Sequence, residues 1–568
     1  MLAGLLVGGG AAWRAAAQDD PPRPTPVSDQ ARRQALEAAI LRDRQGPQNL
    51  QPLARIDCVN GFAGPYPCSN IDLLAFMPLS QIGASDEGND LWGWTDPQTG
   101  KEYALMGLTN GTAFVDISDP ENPLYLGILP PRTTDSIWRD IKVYADHAFI
   151  VSEAAAYGMQ IFDLTQLRSV TTPPITFTQT AYYTGFGPAH NIAINQDTGF
   201  AYVVGANTCS GGLTMIDLQN PTAPASAGCY SDDGYIHDVQ CVLFQGPDVQ
   251  YQGREICFAA NEDALTIVDV TNKSAPELIS KTTYPDVGYT HQGWLTPDQA
   301  YFLLGDELDE DFFGTNTRTR VFDLSDLSNP VLVETFTGPT QAIDHNVYTV
   351  GNLAYESNYT AGLRVVSIVD PANLIEVGFF DVYPAHDNAT FNGTWSNYPF
   401  FDSGVVIVSG IEQGLFILQP NLLATLQGNV VLEGRGDHSG VSVTILQSGT
   451  PVSSTVTTAG GGFSFVLPLG TYQVQIEAAR YLDAQTVVTI TTPGEVTLPG
   501  VTLLGGDSND DDRVDILDLA LQGGRFGLNN GDPGWVPAAD INADGTVDDL
   551  DLSISRGNFG RTSPLPWP

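Results

Sequence analysis

Residues 111–129 read GTAFVDISDPENPLYLGIL: an apolar strand that ends in Asp, a turn rich in Pro and Asn, and a second strand. The same unit returns roughly every 50 residues, a spacing typical of repeat architectures. The other copies are GMQIFDLTQL from 158, GLTMIDLQNPTAPASAGCY from 212, ALTIVDVTNKSAPELISKT from 264, TRVFDLSDLSNPVLVETF from 319, GLRVVSIVDPANLIEVGFF from 362 and GLFILQP from 414. This period predicts a mainly β chain with a β-propeller of seven blades, each of four antiparallel strands.

The copy that starts at residue 414 runs directly into a different sequence and lacks an outer strand. A strand of the right kind, IDLLAFMPLSQIG at 71–83, precedes the first full repeat. We expect this N-terminal strand to complete the last blade, because closure removes an exposed sheet edge.

The segments AFVDIS, TIVDV and MIDL resemble the LVIVD repeat. Residues 58–420 as a whole resemble the propeller of the choice-of-anchor B family of exported bacterial proteins. That family joins a common body to varied C-terminal attachment modules. The resemblance implies an extracellular propeller and names no reaction.

Residues 421–504 form a different unit. GGFSFVLPLGTYQVQIEA, from residue 461, alternates apolar and polar residues between Gly turns, as in a β-sandwich. It resembles the carboxypeptidase-regulatory-like fold, a carbohydrate-binding-like sandwich.

Residues 505–568 contain two acidic loops, DSNDDDRVDILD from 507 and DINADGTVDDLD from 540. Each places carboxylate or amide oxygens at loop positions 1, 3, 5, 9 and 12, the spacing with which a twelve-residue loop wraps Ca²⁺. We therefore expect two calcium sites in a small α-helical, EF-hand-like domain.

The duplicated loop and helix resemble a type I dockerin, which implies a cohesin-like or cell-surface protein as partner. The ligands that the resemblance implies are Asp507, Asn509, Asp511, Asp515 and Asp518, then Asp540, Asn542, Asp544, Asp548 and Asp551, with the backbone carbonyls of Arg513 and Thr546. Two departures stand out. Asp512 takes the place of the usual Gly at position 6, and positions 10 and 11 are Ile516-Leu517 and Asp549-Leu550.

Composition limits the partners. The chain has 66 acidic and 24 basic residues, a net charge of −42, which repels nucleic acid and anionic membranes. Residues 1–18 resemble a signal peptide, residues 19–57 predict a linker and a short helix at 28–45, and no later segment is apolar enough to span a bilayer. The six cysteines fall into three local couples, Cys58 with Cys68, Cys209 with Cys229 and Cys241 with Cys257, which suggests disulfides.

Four histidines repeat in register, each at the start of a strand that opens a blade: His190, His237, His291 and His345. The preceding blade offers Arg139 and Asp140 at the same place. First strands line the channel of a propeller, so we expect these side chains at its axis.

Acidic residues follow the next strand of several blades and predict a second ring at the same rim: Glu153, Glu262, Glu307 and Glu356. Imidazoles ringed by carboxylates are typical of a transition-metal site. One alternative is a ligand-binding or general acid–base site without a metal. The other is that the histidines only hydrogen-bond neighbouring blades.

Two functions remain open from sequence. The first is a secreted binding or scaffold protein that presents a His- and acid-lined face to an unknown ligand and is attached through its calcium-dependent module. The second is a metal-dependent extracellular enzyme, or an accessory of a polysaccharide-degrading assembly. The sequence contains no GxSxG, HExxH or P-loop motif.

Overall fold

The computed structural model describes residues 28–567 and is mainly β. The predicted signal peptide and the first part of the predicted linker lie outside the described residues. No helix within residues 28–567 is long and apolar enough to cross a bilayer.

The repeats fold as seven four-stranded antiparallel sheets within the described residues, here sheets 1 to 7 in chain order. Sheet 1 consists of Gly88–Thr95, Glu102–Leu108, Gly111–Asp116 and Leu124–Leu129. Sheet 2 consists of Arg139–Tyr144, His147–Ser152, Met159–Asp163 and Ala181–Tyr183. Sheet 3 consists of Asn191–Asn195, Phe200–Val204, Leu213–Asp217 and Ala225–Tyr230. Sheet 4 consists of Asp238–Leu243, Glu255–Ala260, Leu265–Asp269 and Glu277–Thr282. Sheet 5 consists of Thr290–Leu295, Tyr301–Asp306, Arg318–Asp323 and Val331–Thr337. Sheet 6 consists of Val347–Val350, Leu353–Ser357, Leu363–Ser367 and Ile375–Phe380.

Sheet 7 is built from both ends of the repeat region. It consists of Thr394–Tyr398, Val406–Gly410, Gly414–Pro420 and the N-terminal strand Ile71–Pro78. The predicted closure is confirmed, because Ile71–Pro78 pairs antiparallel with Gly414–Pro420. Short strands extend the outer edges of sheet 6 (Tyr66–Ser69 and Phe62–Ala63) and sheet 1 (Ile175–Thr176).

The sheets are arranged in a ring. The first strand of each sheet contacts the first strand of the next, and the first strand of sheet 7 contacts that of sheet 1. Apolar side chains fill the space between neighbouring sheets, as in the cluster that joins sheets 4 and 5 around Phe258 and Phe302. The first strands therefore surround a common axis.

Two more sheets follow the ring and enclose a common core. One contains Ala424–Leu432, Gly462–Leu467, Gly494–Thr497 and Val501–Leu503, and the other contains Ser442–Gln447, Thr450–Val456, Gly470–Glu477, Ala484–Ile490 and Leu565–Pro566. The α-helices are α1 (Asp29–Asp43), α2 (Asp309–Phe313), α3 (Ile516–Gly523) and α4 (Asp549–Gly557), and short 3-10 helices lie at Leu79–Gln81, Leu164–Ser169, Cys209–Gly211 and Pro537–Ala539.

All three cysteine couples are disulfides: Cys58–Cys68, Cys209–Cys229 and Cys241–Cys257. The pairing Cys241–Cys257 joins directly opposed residues of the first two strands of sheet 4. The local spacing of the cysteines thus indicated the correct partners.

Candidate metal centre

The four in-register histidines come together at the axis of the ring. Each lies at or just before the first strand of its sheet, in sheets 3 to 6. The ring centroids of successive imidazoles are 4.3 Å apart for His190 and His237, 4.1 Å for His237 and His291, and 4.4 Å for His291 and His345. Because the first strands of neighbouring sheets lie side by side, a residue repeated in register forms an arc.

Backbone carbonyls fix the tautomer of three of these rings. The Nδ1 atom of His237 is 3.0 Å from the carbonyl oxygen of His291, and Nδ1 of His291 is 3.3 Å from that of His345. Nδ1 of His345 contacts the carbonyl oxygen of Trp395. A carbonyl oxygen can only accept, so each Nδ1 carries the proton and each Nε2 carries a lone pair.

Glu307 lies opposite these lone pairs. Its carboxylate oxygens are 3.4 Å from Nε2 of His291 and 3.5 Å from Nε2 of His345, and the Tyr359 hydroxyl donates to Oε1 at 2.6 Å. Ligand atoms of His237, His291 and Glu307 all lie within 4.8 Å of one another. Among the described residues, Oε2 of Glu307 has no hydrogen-bond partner. Two imidazole lone pairs and a carboxyl group therefore converge.

Burial keeps most of this group uncharged. Desolvation lowers the pKa of His237 and His291 well below the usual range and lowers the pKa of His345 to about 3. Desolvation raises the pKa of Glu307 to about 8. Burial also opposes protonation of His190, but the hydrogen bond and charge of Glu153, 2.6 Å from its Nδ1, raise the pKa of His190 overall. Neutral imidazoles are the form that binds a metal.

The group lines a cavity of about 40 Å³ whose remaining wall is largely aromatic. The lining includes Trp138, Tyr235, Tyr289, Tyr359 and Trp395. A metal ion with a water molecule fits this volume. A sugar or a peptide does not, because ligand pockets are usually several hundred Å³.

Helix α1 covers the mouth of the cavity. Its side chains Leu36, Ala39 and Ile40 are buried in the same apolar cluster as Tyr289 and Tyr359 of the ring. Ser28 caps the helix by accepting a hydrogen bond from the Ala31 amide, as expected at an N-cap. Helix α1 lies within the predicted helix at 28–45, and it forms the lid of the axial cavity.

Polar contacts fasten both ends of α1 to different sheets. Near its start, the Arg33 guanidinium is 3.4 Å from the Glu262 carboxylate and lies 4.1 Å from the centroid of the Tyr235 ring. After its end, Arg44 donates to Glu87 at 2.7 Å. The helix thus spans the mouth from sheet 4 to the loop that precedes sheet 1.

The structure brings together six of the predicted axial residues: His190, His237, His291, His345, Glu153 and Glu307. Asp140 lies in an adjoining polar pocket, where it binds Lys142 at 2.5 Å. The other three predicted residues are not among those that line the cavity. Arg139 donates to Tyr157, Glu262 pairs with Arg33 of α1, and Glu356 lies between sheets 5 and 6, where Thr319 donates to it.

Sequence reasoning missed the lid and most of the aromatic wall. The residues concerned are Arg33, Leu36, Glu37 and Ile40 of α1 with Trp138, Tyr235, Tyr289 and Tyr359. Residues 36, 39 and 40 are spaced to share one face of a helix, but the sequence does not indicate which surface that face covers. Tyr235 and Tyr289 each precede the in-register histidine of their sheet by two residues, a shared spacing that could have found them. Trp138 directly precedes the first strand of sheet 2, and Tyr359 follows the second strand of sheet 6, so no repeat indicates them.

The two acidic loops adopt the same conformation. Each is followed by a helix with a capping box, formed by Asp515 and Asp518 in α3 and by Asp548 and Asp551 in α4. Position 6 has positive φ in both loops, 68° at Asp512 and 94° at Gly545. Asp512 therefore adopts the left-handed conformation that Gly usually provides.

The first and last carboxylates of each loop hold the loop's own backbone. Asp507 accepts from the amides of Asp511 and Asp512, and Asp551 accepts from those of Ile541 and Asp548. Burial raises the pKa of Asp507, and the negative charges of the neighbouring acids raise it further. These contacts turn the oxygens of positions 1 and 12 toward the inside of each loop.

Comparisons with known proteins bear on the repeats. The LVIVD repeat model matches residues 187–232 and 248–283, which cover sheet 3 and most of sheet 4. No curated protein matches the chain at a significant level. The chain therefore contains LVIVD repeats.

Solved structures are similar only at a distance. A cohesin–X-dockerin complex from Acetivibrio cellulolyticus is 23% identical over 25% of this chain and 97% of that chain, with a TM-score of 0.22. A protein from Lactobacillus plantarum is 14% identical over 67% of this chain and 99% of that chain (TM-score 0.38). A functionally unknown protein from Desulfotomaculum acetoxidans is 11% identical over 56% of this chain and 94% of that chain (TM-score 0.39).

Proposed function

We propose that this protein is an extracellular binding protein in which a seven-bladed β-propeller, residues 58–420, holds a transition-metal ion at its axis. The fixed Nδ1 protons of His237, His291 and His345 are the observation that supports it most directly. They leave three Nε2 lone pairs free, two of them facing the Glu307 carboxyl group, and imidazoles with a carboxylate are the donor set that proteins use for zinc, iron and similar ions. The carbonyl acceptors are the outer partners that orient metal-binding imidazoles.

The closed cavity favours binding over catalysis. A metal enzyme needs an open coordination position and room for a substrate. Here the remaining volume is about 40 Å³, and α1 covers it. An ion at this site would stabilise the ring, or the ion itself would be the bound ligand.

Metal analysis of the full-length protein tests this proposal. We expect about one equivalent of a transition metal in the wild type and none in the His237→Ala, His291→Ala double variant. The matched control is His147→Ala, because His147 lies on sheet 2 outside the cavity. Wild-type protein that takes up no zinc, iron, copper or manganese and melts at the same temperature with and without each ion would reject the proposal.

We propose further that residues 505–568 form a calcium-binding, dockerin-like module that attaches the protein to a cohesin-like or cell-surface protein. Matching positions of its two halves expose large apolar side chains to solvent: Leu517 and Leu550 are 59% and 58% exposed, and Phe526 and Phe559 are 51% and 54% exposed. A duplicated apolar surface of this kind suits a protein partner. Residues 421–504 would act as the spacer.

Calcium titration of the full-length protein tests the module. We expect binding by both loops, with Asp518→Asn and Asp551→Asn each removing about one ion, because position 12 supplies the last carboxylate of each loop. Asp549→Asn at the non-liganding position 10 is the control. Unchanged stoichiometry in both position-12 variants would contradict the assignment.

A further inference from the structure

A second group of carboxylates is buried beside the axial cavity and takes no part in it. Asp309 and Glu310 lie on α2, between two strands of sheet 5, and Asp344 precedes the first strand of sheet 6. Ligand oxygens of the three residues all lie within 4.8 Å of one another. The side chains are almost wholly buried, with exposures of 0%, 2% and 5%.

Protein donors satisfy only part of this group. Arg318 and Arg320 both donate to Oδ2 of Asp309, at 2.9 and 2.5 Å, which holds that carboxylate from one side. The carboxylate of Asp344 accepts from the Asp306 amide at 3.1 Å. Among residues 28–567, Oδ1 of Asp309 and both carboxylate oxygens of Glu310 have no hydrogen-bond partner.

The local charge is also unbalanced. Asp306 adds a fourth buried carboxylate, although the amides of Gly288 and Tyr289 occupy its oxygens. In their ionised form these four carboxylates outnumber the two guanidinium groups beside them, and Arg318 also pairs with Asp286 at 3.1 Å. Buried charges without a counter-ion destabilise a fold strongly, so such groups are normally paired or bind a metal.

We propose that Asp309, Glu310 and Asp344 bind a calcium ion inside the ring. The donors are all oxygen, which suits a hard cation, and the unpartnered Glu310 carboxylate can bind through one or both oxygens. A divalent ion supplies positive charge that the two guanidinium groups do not provide. Arg318 and Arg320 orient Asp309 from the far side, as outer partners orient metal ligands elsewhere.

This site is independent of the axial one. It uses no imidazole and shares no ligand with His237, His291 and Glu307. If the axial site binds no transition metal, the calcium proposal is unaffected. If the carboxylate site binds no calcium, the axial proposal is unaffected. Calcium bound by the acidic loops must be separated from calcium bound at this site, because the loops are expected to bind calcium as well.

The test therefore uses the full-length chain with Asp518→Asn and Asp551→Asn, which disable both loops. We expect this parent, purified in calcium and desalted, to retain about one calcium ion per chain by elemental analysis. Adding Glu310→Gln should reduce that to none and abolish the rise in melting temperature on adding calcium. Glu277→Gln, an exposed position on sheet 4, is the matched control.

Two further measurements keep the outcome decisive. In chelator, Glu310→Gln should melt no lower than the parent, because it removes an unpaired charge; if it does not fold, Asp344→Asn replaces it. A parent that binds no calcium, or a Glu310→Gln variant that still binds it, overturns the proposal. If calcium does not change the melting temperature of the parent and a lower pH raises it, the carboxylates share protons and do not bind an ion.

Discussion

The axial histidines owe their chemistry to backbone geometry. The Nδ1 atoms of His237, His291 and His345 donate to carbonyls at or beside the first strand of the following sheet, so the ring of sheets itself sets the tautomer of these three rings. Burial lowers the pKa of all three and keeps them neutral. Repetition of one residue at one register position is enough to direct several Nε2 atoms to the same place.

Glu356 shows how one register step changes the role of a side chain. Glu153 and Glu307 each directly follow the second strand of their sheet, whereas Glu356 lies inside its strand, Leu353–Ser357. Successive side chains of a strand point to opposite faces, so Glu356 enters the space between sheets 5 and 6. The four predicted histidines lie together at the cavity. The sequence does not show to within one residue where a strand ends, so the acids could not all be assigned.

The first prediction concerns the pH dependence that Glu356 imposes. Burial raises its pKa from 4.5 to about 7, so between these values the folded chain keeps a proton that the unfolded chain releases. The free energy of unfolding should fall by roughly 3 kcal/mol as pH rises through this window, at about 1.4 kcal/mol per pKa unit. Glu356→Gln removes this loss and can still accept the hydrogen bond from Thr319.

Calorimetry of the variant and the wild type at about pH 4.5 and about pH 8 measures the effect. The melting temperature of Glu356→Gln should exceed that of the wild type only at the higher pH. Glu277→Gln, which is exposed, should follow the wild type at both. An equal difference at the two pH values would contradict a raised pKa.

At the level of elements, the N-terminal segment contributes twice to the ring. Ile71–Pro78 completes sheet 7, and α1 covers the axis. The strand was predictable because the last repeat visibly lacks one. The position of α1 was not, because helical spacing predicts a helix and does not specify the surface against which it packs.

The closing strand should contribute strongly to stability. Phe76 is 1% exposed, and its ring lies 4.5 Å from that of Phe416 on the paired strand. Phe76→Ala should lower the free energy of unfolding by about 3–5 kcal/mol, the usual effect of truncating a buried Phe. The control is Phe62→Ala, since Phe62 is 55% exposed. Urea unfolding that gives similar losses for both would contradict this role.

Helix α1 has one buried and one exposed apolar residue at neighbouring positions, which allow a matched pair of substitutions. Ile40 is 9% exposed against the ring, whereas its neighbour Leu41 is 56% exposed. Ile40→Asp places a charge in the apolar cluster and should detach the helix, whereas Leu41→Asp should not. Trypsin should cleave within residues 29–43 at least about tenfold faster in Ile40→Asp, because protease cleavage follows the population of the opened form. Equal rates would mean that the helix does not depend on this contact.

Across the whole molecule, a continuous apolar core joins the ring, the two C-terminal sheets and the loop module. It runs from Phe416 of sheet 7 through Ile476 to Val514 and Ile541 beside the acidic loops. The Tyr481 hydroxyl donates to the carbonyl of Ile541 at 2.9 Å. The three regions were visible in the sequence as changes of pattern, but their packing was not, because contacts between regions leave no periodic signal.

This continuity predicts that calcium in the loops supports the neighbouring sheets. Removing calcium should leave the loop carboxylates mutually repelling and loosen the contacts at Tyr481. Amide exchange should therefore accelerate in Gly470–Glu477 and Ala484–Ile490 and stay unchanged in Leu265–Asp269 of sheet 4. The Asp518→Asn, Asp551→Asn variant should show the fast exchange with or without chelator. A chelator effect confined to residues 505–567 would indicate an independent module.

Helix α1 also constrains the order of assembly. It is synthesised before every strand of the ring, yet its partners Tyr289, Tyr359, Phe391 and Ile411 belong to the last sheets to emerge. The axial chamber therefore stays uncapped until the chain has been made past residue 411. If the axis binds a metal as proposed, the ion can reach the imidazoles freely during that interval, and afterwards its exchange is limited by how often the helix lifts.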